Sequence, residues 1–291
     1  MKPNGSPPLQ TPIDHLGNWL KDASRRLESI CDSPALEAQM TAAFVLGKPR
    51  SWILAHPETV ITDGQLAQLD DILNKLADGY PFAYISGERE FYGRIFKVHP
   101  GLLVPRPETE LLVETALDWL RAYPQKRSAV DVGCGTGCIA VTLAAEIPDL
   151  RIDAVDIDPL AVETTRHNTE RLGTNGRVHA FSSDLLEGCT GSYDLICANL
   201  PYIPASTVDS LPAARHEPRL ALDGGPDGLT LICRLLSQAV SRLHPGGRVL
   251  LEIEASQGQS APELARQFYP AASISLKHDL AGQPRLVSIQ L

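Results

Sequence analysis

One stretch limits the folds open to this chain more than any other. Asp131-Val-Gly133-Cys134-Gly135-Thr136-Gly137 sits between two apolar segments, one of strand length (Ala129 to Val132) and one of helix length (Ile139 to Ala145). The glycines therefore occupy a strand-to-helix turn. Glycine at alternate positions permits a tight turn and lets a ligand approach the backbone, and the first turn of the helix leaves N–H groups free to meet it. The next strand-like run, Arg151 to Asp156, ends in an acid roughly 20 residues beyond the loop, where a carboxylate can accept hydrogen bonds from ribose hydroxyls. The G-x-G-x-G spacing lacks the G-x-x-G ending of a dinucleotide loop, which tilts the ligand away from NAD. Without Asp156 the loop would read only as a tight turn.

The alternation continues downstream. Pro159 to Leu172 reads as a helix, Arg177 to Phe181 and Tyr193 to Ala198 as strands, Leu229 to Leu243 as a helix and Gly247 to Ile253 as a buried strand. Such a sequence predicts an α/β domain, a parallel sheet flanked by helices. Ser273 to Leu276 and Arg285 to Leu291 close it as an antiparallel pair. Upstream the period is helical: from Ile13 to Ile30, from a Ser33 N-cap and Pro34 to a stop at Gly47, and from Thr62-Asp63 to Gly79. Residues 1–85 thus form a small helical domain. Between them the period changes to two. Phe91 to Val98 and Leu102 to Val104, about a His99-Pro100-Gly101 turn, predict a β-hairpin linker over 86–105. An amphipathic helix follows through Leu111, Leu112, Thr115, Leu117 and Leu120, started by Thr109 or by Pro107-Glu108, and the α/β domain runs over 106–291.

At 291 residues, one large domain plus a smaller one is the default. No apolar run reaches membrane-spanning length. Met1 to Pro12 is polar and proline-rich without an apolar core, which predicts a tail rather than a signal peptide, and a cytoplasmic protein. The six cysteines make no disulfide framework in a chain this long. Cys134 and Cys138 lack a second pair or a histidine cluster, so no metal site is expected. The net charge of −9 argues against a protein that grips nucleic acid through its phosphates.

A second stretch carries chemistry. The apolar strand Leu195 to Ala198 runs straight into Asn199-Leu200-Pro201-Tyr202. Pro201 halts strand pairing, because it has no N–H and fixes its own φ. Asn199 offers one acceptor oxygen and two donors, and the Tyr202 ring can stack on a planar group. Together they suit a planar, NH2-bearing substrate, a carboxamide or an adenine. The plain alternative is a strand ending in a proline turn.

The glycine loop, opened by Asp131, resembles the first motif of S-adenosylmethionine (SAM) methyltransferases. Asn199-Leu200-Pro201-Tyr202 resembles the substrate motif of those that methylate amino groups on adenine, cytosine or glutamine. Its Asn-Leu-Pro-Tyr form is shared with ribosomal RNA adenine dimethyltransferases. Phe91-Tyr-Gly93, Leu103-Val-Pro-Arg-Pro-Glu-Thr-Glu110, Glu217-Pro-Arg-Leu-Ala-Leu-Asp-Gly-Gly225 with Gly228-Leu229, and the helical segment with Ala42 to Gly47 and Leu54 to Pro57 are similar to the release-factor glutamine methyltransferases, the HemK/PrmC family. The resemblance covers nearly the whole chain after residue 10. Two positions depart from it: Leu200 stands where the family usually has proline, and Cys134 and Cys138 where Thr and Ala are commoner.

The resemblance implies a Rossmann-like methyltransferase domain with a seven-stranded, mostly parallel sheet, preceded by a small helical, substrate-recognition domain and a hairpin. It implies SAM held by Gly133, Cys134, Gly135, Thr136, Gly137, Asp156, Asp184, Leu185 and Asn199. It implies methyl transfer to the side-chain amide nitrogen (N5) of the glutamine in the Gly-Gly-Gln loop of class 1 peptide-chain release factors, with no direct nucleic-acid partner, by a monomer. The substrate would lie on Asn199, Leu200, Pro201 and Tyr202. Asn199 and the Pro201 carbonyl would accept the two amide hydrogens, and Tyr202 would stack on the amide. The rival reading is an adenine-N6 methyltransferase acting on RNA or DNA, and a further rival is a non-catalytic SAM-binding or ribosome-associated module.

Overall fold

The computed structural model describes residues 15–31 and 33–291. The tail reading of Met1 to Pro12, and Ile13 as the start of the first helix, lie outside the described residues. The chain divides into two compact units, the first ending at Ser86 and the second running from Gly87 to Leu291.

The first unit is helical: α1 (Leu16–Leu27), α2 (Pro34–Leu46), α3 (Arg50–Ala55), α4 (Asp63–Ala77) and α5 (Phe82–Ser86). Its core gathers Leu16, Trp19, Leu27, Ile53, Leu69 and Leu73. Helix α1 stops a turn before the expected Ile30, which is left exposed; the Ile30 and Cys31 N–H groups both fold back onto the Leu27 carbonyl. Ser33 precedes α2 without a side-chain cap bond, whereas Gly47 ends it with φ 61°, the left-handed geometry that glycine adopts most easily. Thr62 and Gln65 form a reciprocal capping box on α4.

The second unit opens with a hairpin, β1 (Glu88–Phe91) and β2 (Arg94–Lys97). This corrects the sequence reading. The turn is Tyr92-Gly93, with φ 51° and 68°, not His99-Pro100-Gly101. Two consecutive positive φ angles make the tight turn that suits hairpin twist, and Leu102 to Val104 is left as a strap instead of a strand. The charged run Glu88-Arg89-Glu90 hides a strand, because only Phe91 of β1 is buried. After α6 (Glu110–Ala122) come β3 (Ser128–Val132), α7 (Cys138–Glu146), β4 (Arg151–Asp156), α8 (Pro159–Arg171), β5 (Val178–Ser182), β6 (Tyr193–Ala198), α9 (Ala205–Val208), α10 (Thr230–Ala239), β7 (Leu243–Glu252), α11 (Ser260–Phe268), β8 (Ser273–His278) and β9 (Pro284–Gln290). Helix α10 ends at Ala239, short of the expected Leu243, because Leu243 already pairs with Tyr193 at the start of β7.

Seven strands form one sheet in the order β5-β4-β3-β6-β7-β9-β8, parallel except for β9, which runs antiparallel to both neighbours. Period-two alternation sends Ala129, Leu195, Cys197 and Leu250 into a core with α6 and α7. It sends Val130, Ile196, Val249 and Leu251 into a second core with α10 and α11. Every residue of β6 is buried, as a central parallel strand covered on both faces requires.

Candidate active site

Strand β3 pairs with β4 on one side and β6 on the other, so the chain's winding reverses there. In open α/β sheets, ligands bind beyond the carboxyl ends of the strands at such a point. The glycine loop leaves β3, Asp156 ends β4 and Asn199 follows β6, and a cavity of about 190 Å³ opens among them.

Backbone bonds set the glycine loop. The Gly133 and Cys134 N–H groups both donate to the Val155 carbonyl, at 2.8 and 3.0 Å, and Gly137 N–H donates to the Cys134 carbonyl at 2.7 Å. A Cβ on Gly133 would stand 2.9 Å from Leu200 Cδ2, and one on Gly137 would stand 2.8 Å from the Thr165 side chain; one on Gly135 would meet nothing within 4 Å. Gly133 and Gly135 both line the cavity, and Gly135 is the one with open space above its backbone. Thr165 Oγ1 donates to the Gly135 carbonyl, and Asn168 donates to the Thr136 carbonyl, so α8 braces the loop from behind. Burial pushes the Cys138 thiol up to about 12 and the Cys134 thiol well above its ordinary value. Both stay protonated and act as small apolar filler.

The acids differ in role. Asp131 is fully buried; its Oδ2 accepts the Ala140 N–H at 3.1 Å, while Oδ1 has no partner among the described residues. Burial raises its pKa to about 7, against the Ala140 bond and with help from the Asp156 charge. Asp156 accepts the Gly135 and Asp158 N–H groups, each at 2.9 Å, one on each oxygen. Burial raises its pKa and those bonds oppose the shift. Each oxygen keeps a lone pair for a ligand hydroxyl. Ile157, 56% exposed beside it, and half-turned Leu185 (φ 52°) supply apolar cavity wall that suits a flat ring. Asp184 receives Arg234 at 2.8 Å.

Asn199, Leu200 and Pro201 line the same cavity. Asn199 Nδ2 donates to Thr109 Oγ1 at 3.0 Å, and among the described residues Oδ1 is left as the free end of the amide. Leu200 is 4% exposed, and its Cδ2 packs against Gly133. Tyr202 does not line the cavity; its hydroxyl donates to Glu252 Oε1 at 3.4 Å. The following backbone is clamped. Gly224 N–H donates to the Ile203 carbonyl at 2.8 Å, and Gln257 Nε2 donates to the Tyr202 carbonyl at 3.0 Å. A Cβ on Gly224 or Gly228 would collide with the Pro201 or Tyr202 carbonyl. The strap of 102–107 is held by Glu217, which is buried, ion-paired with Arg106 and accepts the Val104 N–H.

Residues 18–87 match the PrmC N-terminal domain family, and residues 107–213 match the methyltransferase small domain family. The release factor glutamine methyltransferase of Moorella thermoacetica is 38% identical over 91% of this chain and 95% of its own length. That of Rhodopirellula baltica is 36% identical over 96% of each. The chain belongs to the release factor glutamine methyltransferase family. Among solved structures, the T. thermophilus 16S rRNA N2 G1207 methyltransferase in complex with AdoMet and guanosine shares the fold, with a TM-score of 0.52 at 19% identity, over 70% of this chain and 49% of that one.

Within this family member, sequence reading missed Thr109 and Glu252 beside Asn199, and Thr165 and Asn168 behind the glycine loop. Glu252 left a trace, a single acid closing the apolar run Val249-Leu-Leu251. Asn168 left none, since a polar residue on a surface-patterned helix looks solvated.

Proposed function

We propose that this chain methylates the side-chain amide nitrogen of a glutamine, that of the Gly-Gly-Gln loop of class 1 release factors, using SAM. The observation that carries the reading is Asn199: its donor end is engaged by Thr109, so it presents an acceptor to the cavity beside the glycine loop. An amide NH2 needs acceptors, and the Pro201 carbonyl is the natural second one. A carboxamide nitrogen is a weak nucleophile, its lone pair delocalised into the carbonyl. Acceptance of both N–H groups draws electron density to nitrogen and aims it, and such positioning can supply a large share of the barrier reduction. Tyr202 lies outside the cavity wall, and its hydroxyl on Glu252 anchors the loop that carries the Pro201 carbonyl, a place different from the stacking position expected from the sequence.

The cradle fits the cofactor. Gly135 has open space above it, the α7 N-terminus borders the cavity, Asp156 suits a ribose, and Ile157, Asp184 and Leu185 suit an adenine. SAM supplies a methyl on a sulfonium, whose discharge drives the transfer. The helical unit serves release-factor recognition; Leu36, Met40 and Phe44, exposed at helical spacing on α2, offer an apolar stripe for it. A cytoplasmic monomer fits this role, and among the described residues no helix is long and apolar enough to cross a membrane.

Side-by-side assays of labelled methyl transfer to release factor, RNA and DNA test the reading. Label should enter the release factor alone, and Asn199→Ala should lower kcat about a hundredfold with the fold kept. Label in nucleic-acid adenine with none in release factor would select the adenine reading.

A further inference from the structure

Beneath the substrate loop lies a buried acid that the chemistry above does not use. Glu252 closes β7, and Leu251 is the register partner of Ala198, so Glu252 stands alongside Asn199 at the carboxyl edge of the sheet. It is 2% exposed. Its Oε1 receives the Tyr202 hydroxyl, while its Oε2 has no hydrogen-bond partner among the described residues. Thr109, also 2% exposed, accepts the Asn199 amide through Oγ1, and its own proton needs an acceptor. The Thr109 hydroxyl is among the groups that hold the Glu252 pKa down against burial, and the unpartnered Glu252 Oε2 is an acceptor it can turn to, although no hydrogen bond joins the two among the described residues.

We infer that Glu252 is a positioning residue: ionised, it takes the Thr109 proton, which obliges Thr109 to accept from Asn199 and turns the Asn199 oxygen toward the substrate. The inference rests on the amide-methylation reading and deepens it. Asn199 could present either end to the cavity, since oxygen and NH2 occupy nearly the same space. Only the oxygen suits a substrate NH2; the NH2 end would oppose donor to donor. A carboxylate cannot donate, so it imposes one direction on the chain from Asn199 to Thr109 to Glu252. The same carboxylate holds the Tyr202 hydroxyl, so one anion fixes both ends of the substrate motif.

Protonation would reverse the direction. A neutral Glu252 can donate to Thr109, which can then donate to Asn199 and release its NH2 toward the cavity. Burial lifts the Glu252 pKa to about 7, with Glu108 adding to the rise and Thr109, Arg285 and Tyr202 opposing it. Cys138, a buried neutral thiol, also faces it. The orientation of Asn199 is therefore titratable near neutral pH.

The test compares wild type with Glu252→Gln, Thr109→Val and Thr109→Ser on whichever substrate the wild type methylates in the side-by-side assay. Failure of the release-factor reading and failure of this inference are thereby separate results. Glu252→Gln and Thr109→Val should each lower kcat about tenfold or more, with SAM affinity, substrate KM and Tm near wild type, and Thr109→Ser should restore kcat. Wild-type kcat should fall as pH drops below about 7, and that acid limb should be missing in Glu252→Gln. Should Glu252→Gln fail to fold, the Val and Ser pair at Thr109 decides alone. Unchanged kcat in Thr109→Val, an equal loss in Thr109→Ser, or an acid limb that survives in Glu252→Gln would overturn the inference.

Discussion

The Leu200 side chain packs on the backbone of Gly133, so closely that a Cβ there would come within 2.9 Å of Leu200 Cδ2. The glycine loop and the substrate loop are thus built against each other across the β3–β6 pair. Gly133→Ala would add this collision to the strain of a φ of 74°. SAM affinity should fall about tenfold or more, measured by calorimetry. Affinity within twofold of wild type would mean that the two loops move independently.

Leu200→Ala should cost about 2–5 kcal/mol of stability, the range for emptying a buried leucine site, read as a lowered denaturation midpoint. Leu200→Pro, which restores the residue usual in the family, removes part of the same contact, so its turnover should stay within a few-fold while its stability drops. Turnover collapsing in a folded Leu200→Pro would show that the loop has a backbone path proline cannot follow.

Much of this arrangement was legible in the residues. Strand β3, the glycine turn and Asp156 were readable because the apolar period and glycine's freedom act locally, and Asn199-x-Pro201-Tyr202 was readable because proline ends a strand visibly. The hairpin turn was misplaced because Pro100-Gly101 is the louder turn signal, although Tyr92-Gly93 makes the turn. Its N–H, on Tyr92, is pinned by Glu110 Oε1 at 2.9 Å, a contact 18 residues away. Helix α11 went unread among polar residues. Glu252 stands alongside Asn199 only because the sheet order sets β6 beside β7, and Thr109 reaches Asn199 across a separation of 90 residues; no local pattern carries either.

Asp156→Ala should weaken SAM binding by about 1–3 kcal/mol, the scale for hydrogen bonds to a charged group. It also frees the Gly135 N–H that the carboxylate now holds. Calorimetry with unchanged affinity would remove Asp156 from the cofactor site.

Gly228→Ala would place a Cβ 2.1 Å from the Tyr202 carbonyl at a φ of 75°. The substrate loop should shift while the glycine loop stays. We expect kcat to fall about tenfold or more with SAM affinity kept; loss of SAM binding instead would show the clamp to be part of the cofactor site.

Stability should depend on pH through Asp131 and Glu252. Burial raises both from ordinary values of 3.8 and 4.5 to about 7. Between about pH 4 and 7 the folded chain therefore binds more protons than the unfolded one, and their contribution falls as pH rises, levelling above 7. Asp194 and Asp279 have lowered values and act in the opposite sense. The readout is therefore the difference between wild type and an Asp131→Asn, Glu252→Gln double variant. That difference should shift in the variant's favour as pH rises from 4.5 to 7. A pH-independent difference would mean that neither acid is displaced by burial.

The most direct measurement is to incubate the protein with SAM and purified class 1 release factor, digest the product and locate the methyl by peptide mass spectrometry. The account predicts one methyl on the side-chain nitrogen of the Gly-Gly-Gln glutamine, absent when that glutamine is replaced and formed about a hundredfold more slowly with Asn199→Ala. A methyl on any other residue, or an unmodified release factor beside methylated adenine in RNA or DNA, would contradict it.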